Sequence, residues 1–228
     1  MRRPSRPTRP RTPVPSPART ASLTAGLAAL LLVLVGAAWG PLMALDVTVA
    51  DELHRSALAE PGFTHVNRVF SDWVWDPWTM RLLIAAVVVL LLFRRAALLA
   101  LWVAAASALG TALQQVLKWA LGRERPRWQD PVDSAHYAAF PSGHAMTAMV
   151  TLGLLLWLLG RQGVGPRLWW AAVLVCAVSV LGVGFTRIYL GVHWLTDVVA
   201  GWLLGACLVA LAAASYERFT FRSPGDAE

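Results

Sequence analysis

The sequence predicts an all-α membrane protein, a polytopic bundle of six transmembrane helices. Hydrophobic residues make up 57% of the 228 residues, whereas charged residues make up only 14%. The apolar residues lie in blocks close to the roughly 20 residues that a helix needs to cross a bilayer. Arginines gather at alternate ends of these blocks, which is the pattern of a chain that crosses a membrane repeatedly.

Six segments have the length and composition of membrane-spanning helices. The second is the weakest, because its uncharged core from Leu82 to Phe93 is short and Arg94 and Arg95 follow it directly. We expect these two arginines to extend their charged ends to the membrane surface at a tight turn. The predicted spans are residues 23–45, 79–97, 96–120, 142–160, 168–186 and 193–215.

The segments outside the spans have distinct compositions. Residues 1–22 are rich in arginine and proline, which predicts a disordered tail. The apolar stretch 23–45 exceeds the ~7–15 residues of a signal-peptide core and predicts a retained anchor. Residues 23–216 are expected to form one six-span domain, and residues 217–228 a short tail. Between the first two spans, apolar residues at helical spacing predict a helix along the membrane surface: Val66, Val69, Phe70 and Trp73.

The positions of the basic residues predict the orientation of the chain, because cytoplasmic segments are enriched in Lys and Arg. Twelve of the 20 basic residues lie on the side of the N-terminus: Arg2, Arg3, Arg6, Arg9, Arg11, Arg19, Arg94, Arg95, Arg161, Arg167, Arg218 and Arg222. Tryptophans, which favour membrane interfaces, gather on the other side: Trp39, Trp73, Trp75, Trp78, Trp119, Trp128 and Trp194. We therefore expect a cell-membrane protein with both termini in the cytoplasm.

Composition also excludes two common interpretations. The net charge of +7 is spread among apolar segments rather than gathered on a recognition helix, so nucleic acid is not an expected partner. Cys176 and Cys207 both lie inside apolar runs, where we expect buried free thiols rather than a disulfide. Neither cysteine has a predicted function.

Three segments on the predicted extracytoplasmic side carry unusual polar residues. The first is KWALGRERP at the end of the third span, the second is PSGH at the start of the fourth, and the third is TRIYLGVHWLTD between the fifth and sixth. Eight residues of these segments have side chains or backbone groups suited to binding or transferring a phosphate-like anion: Lys118, Arg125, Ser142, Gly143, His144, Arg187, His193 and Asp197. These eight are the candidate site residues.

Each segment has a structural interpretation beside a functional one. Lys118 at a membrane end is an ordinary place for a side chain that reaches the surface, and Ser142 is a typical helix N-cap. A helix N-terminus with small residues nevertheless presents free backbone N–H groups to an anion. The segment before it is basic, so these features together predict an anion site.

His193 and Asp197 are four residues apart and therefore lie on one face of a helix. The carboxylate can hold one imidazole nitrogen and leave the other free as a nucleophile. An ionised aspartate in an apolar helix costs ~2.5–3.5 kcal/mol on insertion scales, which indicates a partner and a use. Two histidines and an aspartate suggest a metal as an alternative, but the surrounding cations repel one and the spacing matches no zinc pattern. We expect neither a metal nor another cofactor.

The three segments resemble the ordered motifs of the type 2 phosphatidic acid phosphatase superfamily, membrane relatives of bacterial acid phosphatases and vanadium haloperoxidases. The family's first motif is Lys, six residues, then Arg-Pro, as in Lys118 to Pro126. Its second is Pro-Ser-Gly-His, as in residues 141–144. Its third is Ser-Arg, five residues, His, three residues, Asp, as in residues 186–197 with Thr186 in the serine position.

The resemblance implies a metal-independent lipid phosphatase. By this resemblance His193 attacks phosphorus to form a phosphohistidine, Asp197 orients it, and His144 acts as acid and then base. The oxygens of the phosphate would be held by Lys118, Arg125, Ser142, Gly143 and Arg187. Candidate substrates are polyprenyl diphosphates such as the undecaprenyl carrier, phosphatidylglycerol phosphate and phosphatidate.

Other functions remain open at the level of the sequence. A lipid phosphotransferase would use the same residues, whereas the related haloperoxidases are soluble and a transporter subunit or scaffold needs no nucleophile. Arg123 and Arg127, beside the first motif, either favour a diphosphate or lie in a solvated loop. Oligomeric state is not predicted.

Overall fold

The computed structural model describes residues 16–221, whose regular secondary structure consists of α-helices and one π-helical segment, with no strand in that range. The helices are α1 (Pro17–Gly36), α2 (Gly40–Ala59), α3 (Pro61–Val69), the π segment (Phe70–Val74), α4 (Pro77–Phe93), α5 (Ala97–Leu121), α6 (Gly143–Arg161), α7 (Pro166–Tyr189) and α8 (Leu195–Phe221). The all-α prediction is confirmed.

Six helical stretches are long and apolar enough to cross a membrane. They are Pro17–Gly36, Pro61–Phe93, Ala97–Leu121, Gly143–Arg161, Pro166–Tyr189 and Leu195–Thr220. The second combines α3, the π segment and α4. The predicted six-span bundle is therefore confirmed, and the chain is a multi-pass membrane protein.

The ends of the first and last spans differ from the prediction. Helix α1 begins at Pro17, where Ser16 accepts a hydrogen bond from the backbone N–H of Arg19 at 3.4 Å. Serine as N-cap and proline in the first turn are both favourable at a helix start, so residues 17–22 do not belong to a disordered tail. The chain then turns at residues 37–39 instead of continuing to residue 45. Helix α8 likewise runs past the predicted boundary at 216. The remaining predicted tail residues, 1–15 and 222–228, lie outside the described residues.

The segment predicted as a surface helix between the first two spans is helical, as α3 and the π segment, but it belongs to the second long helical stretch, Pro61–Phe93. Its four apolar residues, Val66, Val69, Phe70 and Trp73, are all exposed. The opposite side is polar and buried, and it consists of Thr64, Asn67 and Ser71. The buried polar side faces the bundle, so this segment brings hydrogen-bonding groups to the protein interior.

Helix α6 lies at the centre of the bundle, where it packs against α4, α5, α7 and α8. Gly201 of α8 allows the backbones of α6 and α8 to approach closely. A Cβ atom at this position would lie only 2.8 Å from the carbonyl oxygen of Ser142 and 3.0 Å from the backbone nitrogen of Met146. The N-terminal ends of α6 and α8 therefore lie side by side, and the N–H of Ser142 donates to the carbonyl of Asp197 at 2.9 Å.

Candidate active site

The three motif segments meet at one end of the bundle. Lys118 lies in the last turn of α5, Arg125 in the loop after it, and Arg187 in the last turn of α7. The other predicted site residues lie at the start of α6 and in the α7–α8 turn, namely Ser142, Gly143, His144, His193 and Asp197. Residues as far apart in the chain as 118 and 197 thus share one region.

His193 lies between a carboxylate and a guanidinium. Its Nδ1 atom is 3.3 Å from Oδ2 of Asp197, and its Nε2 atom is 3.1 Å from Nη1 of Arg125. Arginine can only donate a hydrogen bond, so this network assigns the lone pair to Nε2 and the proton to Nδ1. The arrangement leaves Nε2 as the basic nitrogen on the side of the cations.

The side chain of His193 is only 2% exposed. Burial lowers its pKa well below the ordinary value, and the nearby charges of Arg125, Arg187 and Lys118 lower it further. Both effects disfavour the protonated imidazolium. His193 is therefore neutral and can act as a nucleophile at neutral pH.

Carbonyl groups of the loop between α5 and α6 hold two of the cations in place. Arg125 donates from Nε to Tyr137 at 2.9 Å and from Nη2 to His136 at 3.1 Å. Its Nη1 also donates to the carbonyl of Val192 at 2.5 Å. Lys118 donates to the carbonyl of Ala138. Burial lowers the pKa of Arg125, but an arginine stays charged.

The first turn of α6 presents a hydroxyl and free backbone N–H groups. Ser142 is fully buried and accepts from the N–H of Ala145 at 3.5 Å, so its own hydroxyl proton remains available for donation. Gly143 is the first residue of the helix. A Cβ atom there would lie 2.7 Å from the amide nitrogen of Gln114, so a larger residue would displace that side chain.

His144 and Arg187 each face an acidic side chain that sequence reasoning did not include. Nε2 of His144 is 4.0 Å from Oδ2 of Asp76, and Nη1 of Arg187 is 3.9 Å from Oδ2 of Asp133. Arg187 also donates to the hydroxyl of Ser71 at 2.5 Å. The candidate site is therefore mixed in charge rather than purely basic. Asp76 directly precedes Pro77, a pattern typical of the start of a helix, and it is the N-cap of α4. This pattern is the sequence signal that could have identified Asp76.

Neither sequence interpretation of Arg123 agrees with the structure. Its side chain is 13% exposed, and it pairs with Asp197 at 2.6 Å through Nη1 and with Asp46 at 2.7 Å through Nη2. It is therefore neither solvated nor free to bind a second phosphate. Arg127, by contrast, is exposed and pairs with Glu124 at 2.9 Å, which fits the solvated alternative.

Metal-ligating side chains do not cluster in the described part of the chain. Within residues 16–221, no group of three or more His, Cys, Asp or Glu side chains is placed to hold a metal ion. Cys176 and Cys207 are both free thiols. The expectation of metal-independent chemistry stays a prediction.

Three curated proteins are similar to parts of this chain. An undecaprenyl-diphosphatase of Sulfolobus acidocaldarius is 39% identical over 74 residues, which are 32% of each chain. Phosphatidylglycerophosphatase B of Bacillus subtilis is 34% identical over 101 residues, 43% of this chain and 49% of that protein. Lipid A 1-phosphatase of Rhizobium etli is 32% identical over 115 residues, 46% of this chain and 45% of that protein. The chain thus matches about a third to a half of the length of these relatives.

A solved structure and a family profile extend the likeness. The crystal structure of a transmembrane PAP2 type phosphatidylglycerolphosphate phosphatase from Bacillus subtilis superposes with a TM-score of 0.67 at 22% identity, covering 92% of this chain and 99% of that one. This likeness shows the fold. Residues 99–221 match the PAP2 superfamily, a range that exceeds half of the chain and includes all three motifs. The chain belongs to the PAP2 superfamily.

Proposed function

We propose that this protein is a membrane lipid phosphatase that acts through a phosphohistidine intermediate. The observation that carries the proposal is the setting of His193, whose Nδ1 faces Asp197 and whose Nε2 faces Arg125. A neutral imidazole oriented by a carboxylate is a suitable nucleophile. Its unprotonated nitrogen, Nε2, faces cations that attract a phosphate.

In the first step, Nε2 of His193 attacks phosphorus as the bond from phosphorus to the lipid oxygen breaks. His144 gives a proton to that leaving oxygen, and the lipid product departs. In the second step, neutral His144 removes a proton from water, whose oxygen attacks phosphorus as the P–N bond breaks. Acid–base assistance of this kind contributes about 10²–10⁴ in rate.

Asp197 stabilises the positive charge that the imidazole ring acquires on phosphorylation. The non-bridging oxygens of the phosphate are bound by Lys118, Arg125 and Arg187, by the hydroxyl of Ser142 and by the N–H of Gly143. These donors are fixed before the substrate arrives, because loop carbonyls hold Lys118 and Arg125 and Ser71 holds Arg187. Preorganised donors stabilise charge that spreads over the oxygens in the transition state.

The substrate class is a lipid phosphomonoester or diphosphate, with polyprenyl diphosphate, phosphatidylglycerol phosphate and phosphatidate as candidates. The names of the three similar proteins all concern lipid phosphates. Exposed aromatic side chains also lie next to the candidate site. Trp119 follows Lys118 directly and Tyr137 bonds Arg125 through its carbonyl group, which is a setting typical of headgroup depth.

We test the activity by phosphate release from these three lipids in detergent, with relative kcat/KM as the measure of preference. His193→Ala should insert but release no phosphate, whereas His65→Ala, on the exposed side of α3, should retain full activity. A lipid labelled at phosphorus should label the wild-type protein but not His193→Ala. Full turnover by His193→Ala would refute the assignment. Transfer of the label to a second lipid rather than to water would identify a phosphotransferase.

The site is proposed to open on the extracytoplasmic side, with both termini in the cytoplasm. Basic side chains at the opposite end of the bundle support this orientation, namely Arg94, Arg95, Arg161 and Arg167. A cysteine introduced at exposed Ser134, in a chain with both native cysteines replaced by alanine, should react with an impermeant maleimide on intact cells. One introduced at Gln162 should react only after permeabilisation, and the reverse pattern would invert the orientation.

A further inference from the structure

A buried network of charged side chains lies behind Asp197, on the side away from His193. Asp46 of α2 is 1% exposed, and Asp197 is completely buried. The guanidinium of Arg123 bridges the two carboxylates, at 2.7 Å from Asp46 and 2.6 Å from Asp197. One cation thus pairs with two buried anions, and the network links α2, which lies outside the three motif segments, to the candidate nucleophile.

Thr196 closes the network. Its backbone N–H donates to Oδ1 of Asp46 at 2.9 Å, and its hydroxyl donates to Oδ2 of Asp46 at 2.6 Å. Nη1 of Arg123 also donates to the same hydroxyl at 2.7 Å. Each oxygen of Asp46 therefore has a partner, as a buried carboxylate requires.

The two oxygens of Asp197 have different partners. Oδ1 accepts from Arg123, whereas Oδ2 accepts from the N–H of Trp194 at 2.9 Å and faces Nδ1 of His193 at 3.3 Å. Rotation of this carboxylate would break the Arg123 bond and move Oδ2 away from the imidazole. The guanidinium charge also disfavours transfer of the Nδ1 proton to Asp197.

We propose that Asp46 and Arg123 are positioning residues for the nucleophile, and that they act through Asp197. This inference rests on the proposed role of His193. Arg123 fixes the orientation of the carboxylate, Asp46 fixes Arg123, and together they keep the Nε2 lone pair directed at the bound phosphate. Because neither residue is placed to touch the substrate, their loss should lower kcat and leave KM nearly unchanged.

The test compares Asp46→Asn and Arg123→Lys with two control variants from the same helix as Asp46. Asn keeps an oxygen for the Thr196 N–H but presents an amide to Arg123, and lysine cannot bridge two carboxylates in fork geometry. The controls are Glu52→Gln and Arg55→Lys, an exposed pair joined at 2.8 Å. We expect kcat to fall about tenfold to a hundredfold in both test variants, the range found for hydrogen-bond partners that orient metal-ligating side chains in the same way, and to remain unchanged in both controls.

A double-mutant cycle with Asp197→Asn separates positioning from a purely structural role. If Asp46 acts through Asp197, then Asp46→Asn should change kcat by less than about twofold in the Asp197→Asn background. If Asp46→Asn lowers kcat by the same factor in the Asp197→Asn background as in the wild type, the proposal is overturned. A kcat equal to that of Glu52→Gln, or a rise in KM at unchanged kcat, would also overturn it. Should Asp46→Asn fail to accumulate, Arg123→Lys decides the question in the same cycle.

Failure of this inference differs from failure of the proposed function. An inactive His193→Ala together with a fully active Asp46→Asn would overturn only the positioning role. An active His193→Ala would overturn the nucleophile, and the positioning role with it.

Discussion

Replacement of Arg125 by lysine tests whether the proposed phosphate site needs the guanidinium geometry or only a positive charge. The guanidinium uses Nη1 towards His193, while Nε and Nη2 donate to the carbonyls of Tyr137 and His136 at 2.9 and 3.1 Å. A lysine ammonium can occupy one of these nitrogen positions but not all of them. The positive charge is therefore retained, whereas either the Nη1 donor beside His193 or the anchors to the loop are lost.

The expected cost follows from the loss of one fixed donor to the transition state. Removal of such a donor lowers kcat by about 10²–10³, or roughly 2.7–4 kcal/mol of transition-state stabilisation. We expect this fall for Arg125→Lys in the phosphate-release assay, and none for Arg127→Lys, whose native side chain is exposed. Turnover of Arg125→Lys within about threefold of wild type would refute the reasoning, because charge alone would then suffice.

Three further predictions concern pH, helix packing and inhibitors. Because the folded protein lowers the pKa of His193, kcat/KM should persist on the acid side of the ordinary histidine value of about 6.5. Only the unfolded chain takes up this proton, so the stability of the folded protein should fall as the pH drops below about 6.5. The fall should be smaller in His193→Asn. A pH profile of thermal unfolding that is the same in His193→Asn as in the wild type would contradict the prediction. Gly201→Ala should destabilise the protein by about 1–3 kcal/mol and reduce turnover, because its Cβ would meet the α6 backbone, whereas Gly26→Ala, which has open space, should be neutral in the same unfolding assay. Vanadate should inhibit phosphate release and EDTA should not; loss of activity in EDTA that is restored by a divalent cation would show a metal requirement.

The tryptophans illustrate what amino-acid type alone fails to predict. Trp39, Trp73, Trp78 and Trp119 are exposed, as expected for side chains at a membrane interface. The sequence predicts the same setting for Trp128, but its ring stacks on His54 with centroids 3.9 Å apart and its N–H donates to the carbonyl of Gly191 at 2.8 Å. An indole suits both settings, and only its neighbours decide between them.

The span boundaries show a similar limit. Hydropathy predicted a single helix from residue 23 to 45, because residues 37–39 are not polar enough to interrupt an apolar block. The chain nevertheless turns there, and Ala38 adopts a φ of 48°. Composition therefore predicted how many spans the chain has, while local backbone geometry determined where the first one ends.

The sequence by itself determined the six-span helical bundle, the family and the group of candidate side chains. Apolar blocks long enough to cross a bilayer, and the spacing of residues within a motif, are local properties of the sequence. They can therefore be detected without coordinates. The tertiary structure decided which partners those side chains have. Asp46 and Arg123 are 77 positions apart, and Arg123 and Asp197 are 74 apart. No periodic pattern connects residues at such distances, and only the packing of α2 and α8 against the loop after α5 brings the three charges together.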